Sequence, residues 1–104
     1  MSSCESCNME KKEHVVATPF AAYSVGVCTR CLNEEIYPLW LIKSEVSSIG
    51  GYSECDDWFK QIIDKNLEFR NIDLDDFERE VRDIRYRWQK HHIYSSRKEK
   101  DGFF

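Results

Sequence analysis

The sequence predicts an α+β fold: a small N-terminal module of knuckle, β-hairpin and helix, packed against a mainly helical C-terminal part. Three observations predict it. Two matched cysteine steps, Cys4-Glu5-Ser6-Cys7 and Cys28-Thr29-Arg30-Cys31, are separated by twenty residues, the spacing of a four-thiolate zinc site. Between them, β-branched and alternating apolar residues have the two-residue period of strands. Beyond residue 43 the apolar residues recur at steps of three and four, the period of amphipathic helices.

Composition bounds the remaining possibilities. A chain of 104 residues is one domain, or one domain with a small appendage, and a core of that size gains from a metal staple. With 41 % hydrophobic and 13 % aromatic residues it is too apolar to stay disordered. No run approaches the eighteen apolar residues of a membrane span, and a cysteine pair stands where a signal peptide would need an apolar stretch. A soluble, cytoplasmic protein with no membrane partner is expected. Five cysteines, an odd number in CxxC pairs, fit a reducing compartment. The net charge of −4 argues against a surface devoted to nucleic acid. Charge is unevenly placed, however: residues 44–77 carry nine acids and three bases, residues 78–104 five acids and eight bases. Such asymmetry can mark an interaction surface.

The hairpin is expected from His14 to Phe20, through a turn at Pro19 to Ala22, into Tyr23, Val25 and Val27. The second cysteine pair then opens a helix in which Leu32 and Ile36 lie four residues apart. Two residues between cysteines let a tight turn aim both sulfurs at one ion, and a helix N-terminus favours thiolate. Structural Zn2+ held by Cys4, Cys7, Cys28 and Cys31 is the expected cofactor. Its formal charge of −2 with four thiolates could be offset by Arg30, Lys11 and Lys12. A redox role for either CxxC would require a single motif in a βαβ setting, which is missing here.

This order of knuckle, hairpin and helix resembles the treble-clef class of zinc finger. More narrowly, Val25-Gly26-Val27-Cys28 at the strand exit and Leu32-Asn33-Glu34-Glu35-Ile36 in the helix resemble the N-terminal zinc-binding domain of the ClpX unfoldase family. The resemblance covers residues 1–43 and includes no Gly-rich GK[ST] loop, so it implies no ATPase. It implies the fold and the use of such a module for dimerisation or for docking other proteins.

Residues 44–94 read as a helical part. Pro38 disturbs the first helix, and a kinked continuation through Leu39-Trp40-Leu41-Ile42 is expected, ending at Ser47 to Gly51. Ser53-Glu54-Cys55-Asp56 has the form of a capping box for a helix to about Asn66, with Trp58, Phe59, Ile62, Ile63 and Leu67 facing inward. Cys55 falls in its first turn and reads as a small buried thiol. Asp73 caps a last helix from Leu74 to about Tyr94 with Leu74, Phe77, Val81, Ile84 and Trp88 as its core stripe. Its opposite strip holds Arg79, Arg82, Tyr86 and Lys90. The pairs Asp75–Arg79, Glu78–Arg82 and Asp83–Arg87 would largely neutralise that strip. His91 and His92 sit where cations favour a helix C-terminus. Residues 95–104 form a polar tail ending in Phe103 and Phe104, which either frays or docks on the core or a partner.

Three function classes remain to be weighed. Four sulfurs close a zinc coordination sphere, whereas catalytic zinc keeps an open position, and no nucleophile–base set is recognisable. The chain is therefore not expected to be an enzyme. The favoured reading is a small zinc-containing protein-interaction module: an adaptor, accessory regulator or inhibitor of a larger protein machine. Asp56, Asp57, Arg79, Arg82, Tyr86, Lys90, Phe103 and Phe104 are its candidate partner-binding residues. A homodimer through Leu39-Trp40-Leu41-Ile42 is a second possibility. The alternative is a nucleic-acid-binding zinc finger that uses the Arg-rich last helix along a phosphate backbone.

Overall fold

A computed structural model of the chain describes residues 3–87. The expectations for Trp88, Lys90, His91, His92, the tail 95–104 and its Phe103 and Phe104 lie outside the described residues.

Strands β1 (His14–Ala17) and β2 (Ser24–Val27) form an antiparallel hairpin, with His14 opposite Val27 and Ala17 opposite Ser24. β1 is shorter than expected because Thr18 already belongs to the turn. Its N–H bonds the Tyr23 carbonyl at 3.0 Å, and its hydroxyl lies 2.9 Å from the Ala21 carbonyl. Along β1, exposed Val15 and Ala17 alternate with half-buried His14 and Val16, while Val25 and Val27 of β2 are buried.

Helix α1 (Thr29–Glu34) follows at once. The expected kinked continuation past Pro38 is not formed. Glu35 turns left-handed at φ 59° and ψ 42°, Ile36 to Pro38 are non-helical, and Pro38 stands at the N-cap of a separate helix α2 (Leu39–Ile49). Proline suits a helix start because the N–H it lacks has no intrahelical partner there. Of Leu39-Trp40-Leu41-Ile42, Leu41 and Ile42 are buried and only Trp40 is exposed.

α2 stops at Gly50, whose φ of 130° is open to glycine and costly for other residues. A 3-10 turn (Tyr52–Glu54) follows, then helix α3 (Asp57–Arg70), which runs one turn beyond the expected end. The expected capping box does not operate. Asp56 is the N-cap, without a side-chain cap bond, and its carbonyl receives the Phe59 and Lys60 N–H groups. Cys55 is extended backbone ahead of the helix. It is buried, as expected, with its thiol 3.4 Å from the Gly51 carbonyl, and burial pushes its pKa up. α3 ends at Asn71, left-handed at φ 55°, a residue type that tolerates this conformation.

The last helix is described over residues 74–87, here α4. The Phe77 N–H bonds the Asp73 carbonyl at 3.0 Å, so the helix starts where the sequence places it.

One core joins both parts. Phe59, Ile62, Ile63 and Leu67 of α3 meet Phe77 and Val81 of α4, Leu41, Ile42 and Val46 of α2, and Val25 and Val27 of the hairpin. Phe20, in the hairpin turn, stacks on Phe59 at 4.9 Å between ring centroids and meets Tyr37 edge-on at 5.3 Å. Trp58 departs from its expected place in the core and is 48 % exposed.

Candidate metal centre

Each pair of cysteines is held by its own local structure. In the first, the Cys4 N–H bonds the Glu10 carbonyl at 2.8 Å and the Asn8 N–H returns to the Cys4 carbonyl at 2.9 Å. Asn8 is left-handed at φ 60°, and Ser3 bridges Lys11, so the chain doubles back as a knuckle. Glu5 ties this knuckle to β2 twice. Its N–H bonds the Gly26 carbonyl at 2.9 Å, and its carboxylate accepts the Gly26 N–H. Gly26 leaves room for the methylenes of Lys12, which lie where its Cβ would stand and would have to move aside for a side chain. In the second pair, Cys28 ends the strand as the extended N-cap of α1, and Cys31 lies inside the helix.

The four sulfurs converge within 4.8 Å of one another. Cys7 Sγ and Cys28 Sγ are 3.9 Å apart, close to the ~3.8 Å edge of a tetrahedron with Zn–S bonds of ~2.3 Å. Cys4, Cys28 and Cys31 are buried, and Cys7 is half-buried. The donor set therefore fits a metal ion such as zinc. Among the described residues this is the one His, Cys, Asp or Glu group arranged to hold a metal.

Electrostatics inside the cluster are divided. Burial pushes the Cys31 thiol well up, and the neighbouring sulfurs add to the rise; Cys28 is also raised by burial. For Cys4 burial acts upward too, but N–H groups of Cys7, Cys28 and Ser6 outweigh it and bring the thiol down to about 6. Backbone donors thus stabilise one thiolate before a metal adds its charge.

Charge compensation comes partly from an unexpected residue. Arg30 ion-pairs with Glu34 at 3.0 Å, and the fields of Cys31 and Cys7 also reach it. Arg70, at the end of α3, donates to the Ser6 carbonyl at 2.9 Å and to the Tyr37 carbonyl at 2.7 Å. Burial lowers its pKa, and Cys31, Cys7 and Cys4 pull it back up. One guanidinium therefore joins the knuckle to the helical part beside the sulfurs.

Asn66, one turn earlier, is fully buried. Its amide donates to the carbonyls of Glu35 (3.0 Å) and Ile62 (2.7 Å). Its oxygen accepts from the Tyr37 N–H (2.8 Å) and Arg70 (3.1 Å). All four hydrogen-bonding positions of the amide are used, and two of them serve the break between α1 and α2. The available sequence signal was a polar residue within the apolar stripe of Ile62, Ile63 and Leu67.

Other candidates are placed elsewhere. His14 bonds the Thr29 hydroxyl at 2.9 Å and stands outside the ligand set. Asp56 and Asp57 are exposed at the start of α3; Arg79, Arg82 and Tyr86 are exposed on α4. Arg79 and Arg82 share a shallow hollow with Glu80 and Asp83. The expected Asp83–Arg87 pair forms at 3.1 Å, but Arg79 pairs with Asp76 at 3.4 Å rather than with Asp75. Lys43, whose pairing was not foreseen, bridges α2 to Glu80 of α4. No described helix is long and apolar enough to cross a membrane.

Comparison with protein-family models, with curated proteins and with solved structures gave no match to this chain.

Proposed function

We propose that the chain is a treble-clef-like zinc module fused to a helical body, acting by binding another protein as an adaptor, regulator or inhibitor. The observation that carries this reading is where the large aromatics lie. Tyr23 and Trp40 meet edge-on at 5.4 Å while remaining 47 % and 52 % exposed, and Trp58 is 48 % exposed. Aromatic side chains left on the surface and held rigid by a frame are typical anchors of protein interfaces. The four-sulfur site supports a structural role for the metal, since no coordination position is left for substrate. The knuckle, hairpin and helix order supports the treble-clef assignment, and the likeness to the ClpX zinc-binding domain rests on the quoted motif residues of 1–43.

The test is quantitative capture from the native host on immobilised zinc-loaded protein, comparing the wild type with Trp40→Ser and Trp58→Ser. One set of proteins should be retained by the wild type and lost with a tryptophan variant whose zinc content and thermal stability are unchanged. Equal recovery on all three would contradict the reading. Nucleic-acid binding through Arg79 and Arg82 predicts instead a complex that weakens steeply with salt, which fluorescence anisotropy with a labelled duplex measures directly.

A further inference from the structure

Arg82 and Arg85 lie about one turn apart on α4 and line an open cleft against the loop joining α2 to α3. Arg85 donates to the Gly50 carbonyl at 2.7 Å, which fixes its guanidinium at the rim; among the described residues this is its one hydrogen bond. The expected Glu78–Arg82 pair does not form, although both residues line this cleft; the ion pairs among the described residues leave Arg82 out. The opposite side is backbone. Gly51 has φ 125°, and no atom lies within 4 Å of where its Cβ would stand, so a ligand can approach the main chain closely. Ser53 adds an exposed hydroxyl, and Tyr52 and Val81 add an apolar wall.

We propose that this cleft binds a phosphate monoester, with the phosphate between Arg82 and Arg85 and the ester group against Tyr52 and Val81. Guanidinium groups give short, charge-assisted bonds to oxyanions. A phosphate monoester offers three terminal oxygens to the donors that line the cleft, Arg82, Arg85 and Ser53, whereas a carboxylate offers two. Glu78 lines the same cleft and repels any anion there, a doubly charged one most, so its charge weakens the site that the two arginines build. No residue of the metal centre takes part.

The experiment is a titration of the full-length, zinc-loaded protein with phenyl phosphate, followed by amide NMR. Saturable shifts at Gly50, Gly51 and Ser53 are expected. Arg82→Gln should weaken binding about ten-fold or more with unchanged thermal stability, given the strength of charge-assisted bonds, and Glu78→Gln should tighten it. Weaker binding of inorganic phosphate supports recognition of the ester; equal binding overturns that part and leaves a site for free phosphate. Benzoate binding as tightly as phenyl phosphate overturns the choice of phosphate. Absence of saturable shifts, or an Arg82→Gln variant with wild-type affinity, overturns the site itself.

Discussion

Replacing Asn66 by alanine removes four hydrogen bonds, but their consequences differ. Ile62 keeps its place in the helix, and Arg70 keeps the Ser6 and Tyr37 carbonyls. The Tyr37 N–H and the Glu35 carbonyl lose the partners that Asn66 gave them. A buried polar group left unsatisfied costs about 1–3 kcal/mol, so Asn66→Ala should destabilise by about 2–6 kcal/mol. For a domain of this size that is a fall in Tm of roughly 10 °C or more. The assay is thermal and denaturant unfolding at one fixed free-zinc concentration, because bound metal shifts apparent stability by mass action. Zinc stoichiometry should be unchanged, since no sulfur is touched. Asn66→Asp, which keeps the acceptor for Tyr37 and loses the donor to Glu35, should fall in between. A Tm within about 3 °C of wild type would refute the assignment of Asn66 as the lock on the α1–α2 break.

Arg70→Gln should weaken zinc binding by about ten-fold or more, because hydrogen bonds from a charged donor contribute about 1.5–3 kcal/mol each and the Ser6 bond holds the knuckle; competition with a chromophoric chelator measures it. Phe59→Ala, which empties the position between Phe20 and the helical core, should cost about 3–5 kcal/mol in denaturant unfolding. The Cys4 thiol, lowered from 9.0 to about 6, contributes stability that is complete above its unfolded value and is lost as pH falls through about 6. Zinc affinity should fall with decreasing pH throughout, as protons compete for sulfur, and more steeply below about 6, where Cys4 must also be deprotonated. Cys28 and Cys31, being raised, should release protons on loading at neutral pH. Calorimetry in buffers of different ionisation enthalpy reads that release.

Those elements that depend on local pattern were legible in the sequence. Each CxxC step is a short-range constraint on its own two sulfurs, and the matched spacing of the two steps pointed to one shared ion. Alternation located the hairpin, and steps of three and four located α3 and α4. What escaped were features settled by partners distant in the chain. Pro38 marked a disturbance, but whether the helix bends or breaks is tied to Asn66, which holds Glu35 and Tyr37 from about thirty residues away. Both Ser53 and Asp56 can cap a helix; Ser53 is taken up in a separate 3-10 turn, Tyr52–Glu54, and the helix begins after Asp56. Trp58 sits beside Phe59 at the edge of the apolar stripe, where periodicity does not decide burial. Arg70 read as an ordinary basic residue at a helix end, because nothing nearby in sequence reveals that it reaches Ser6.

The central claim is that one ion, bound by sulfur from both CxxC steps, organises the amino-terminal third of the chain. X-ray absorption at the zinc edge on the full-length protein, with elemental analysis, tests it most directly. One zinc per chain with four sulfur neighbours at about 2.3 Å is the predicted result. Absence of stoichiometric metal, or nitrogen or oxygen in its first coordination shell, would contradict it.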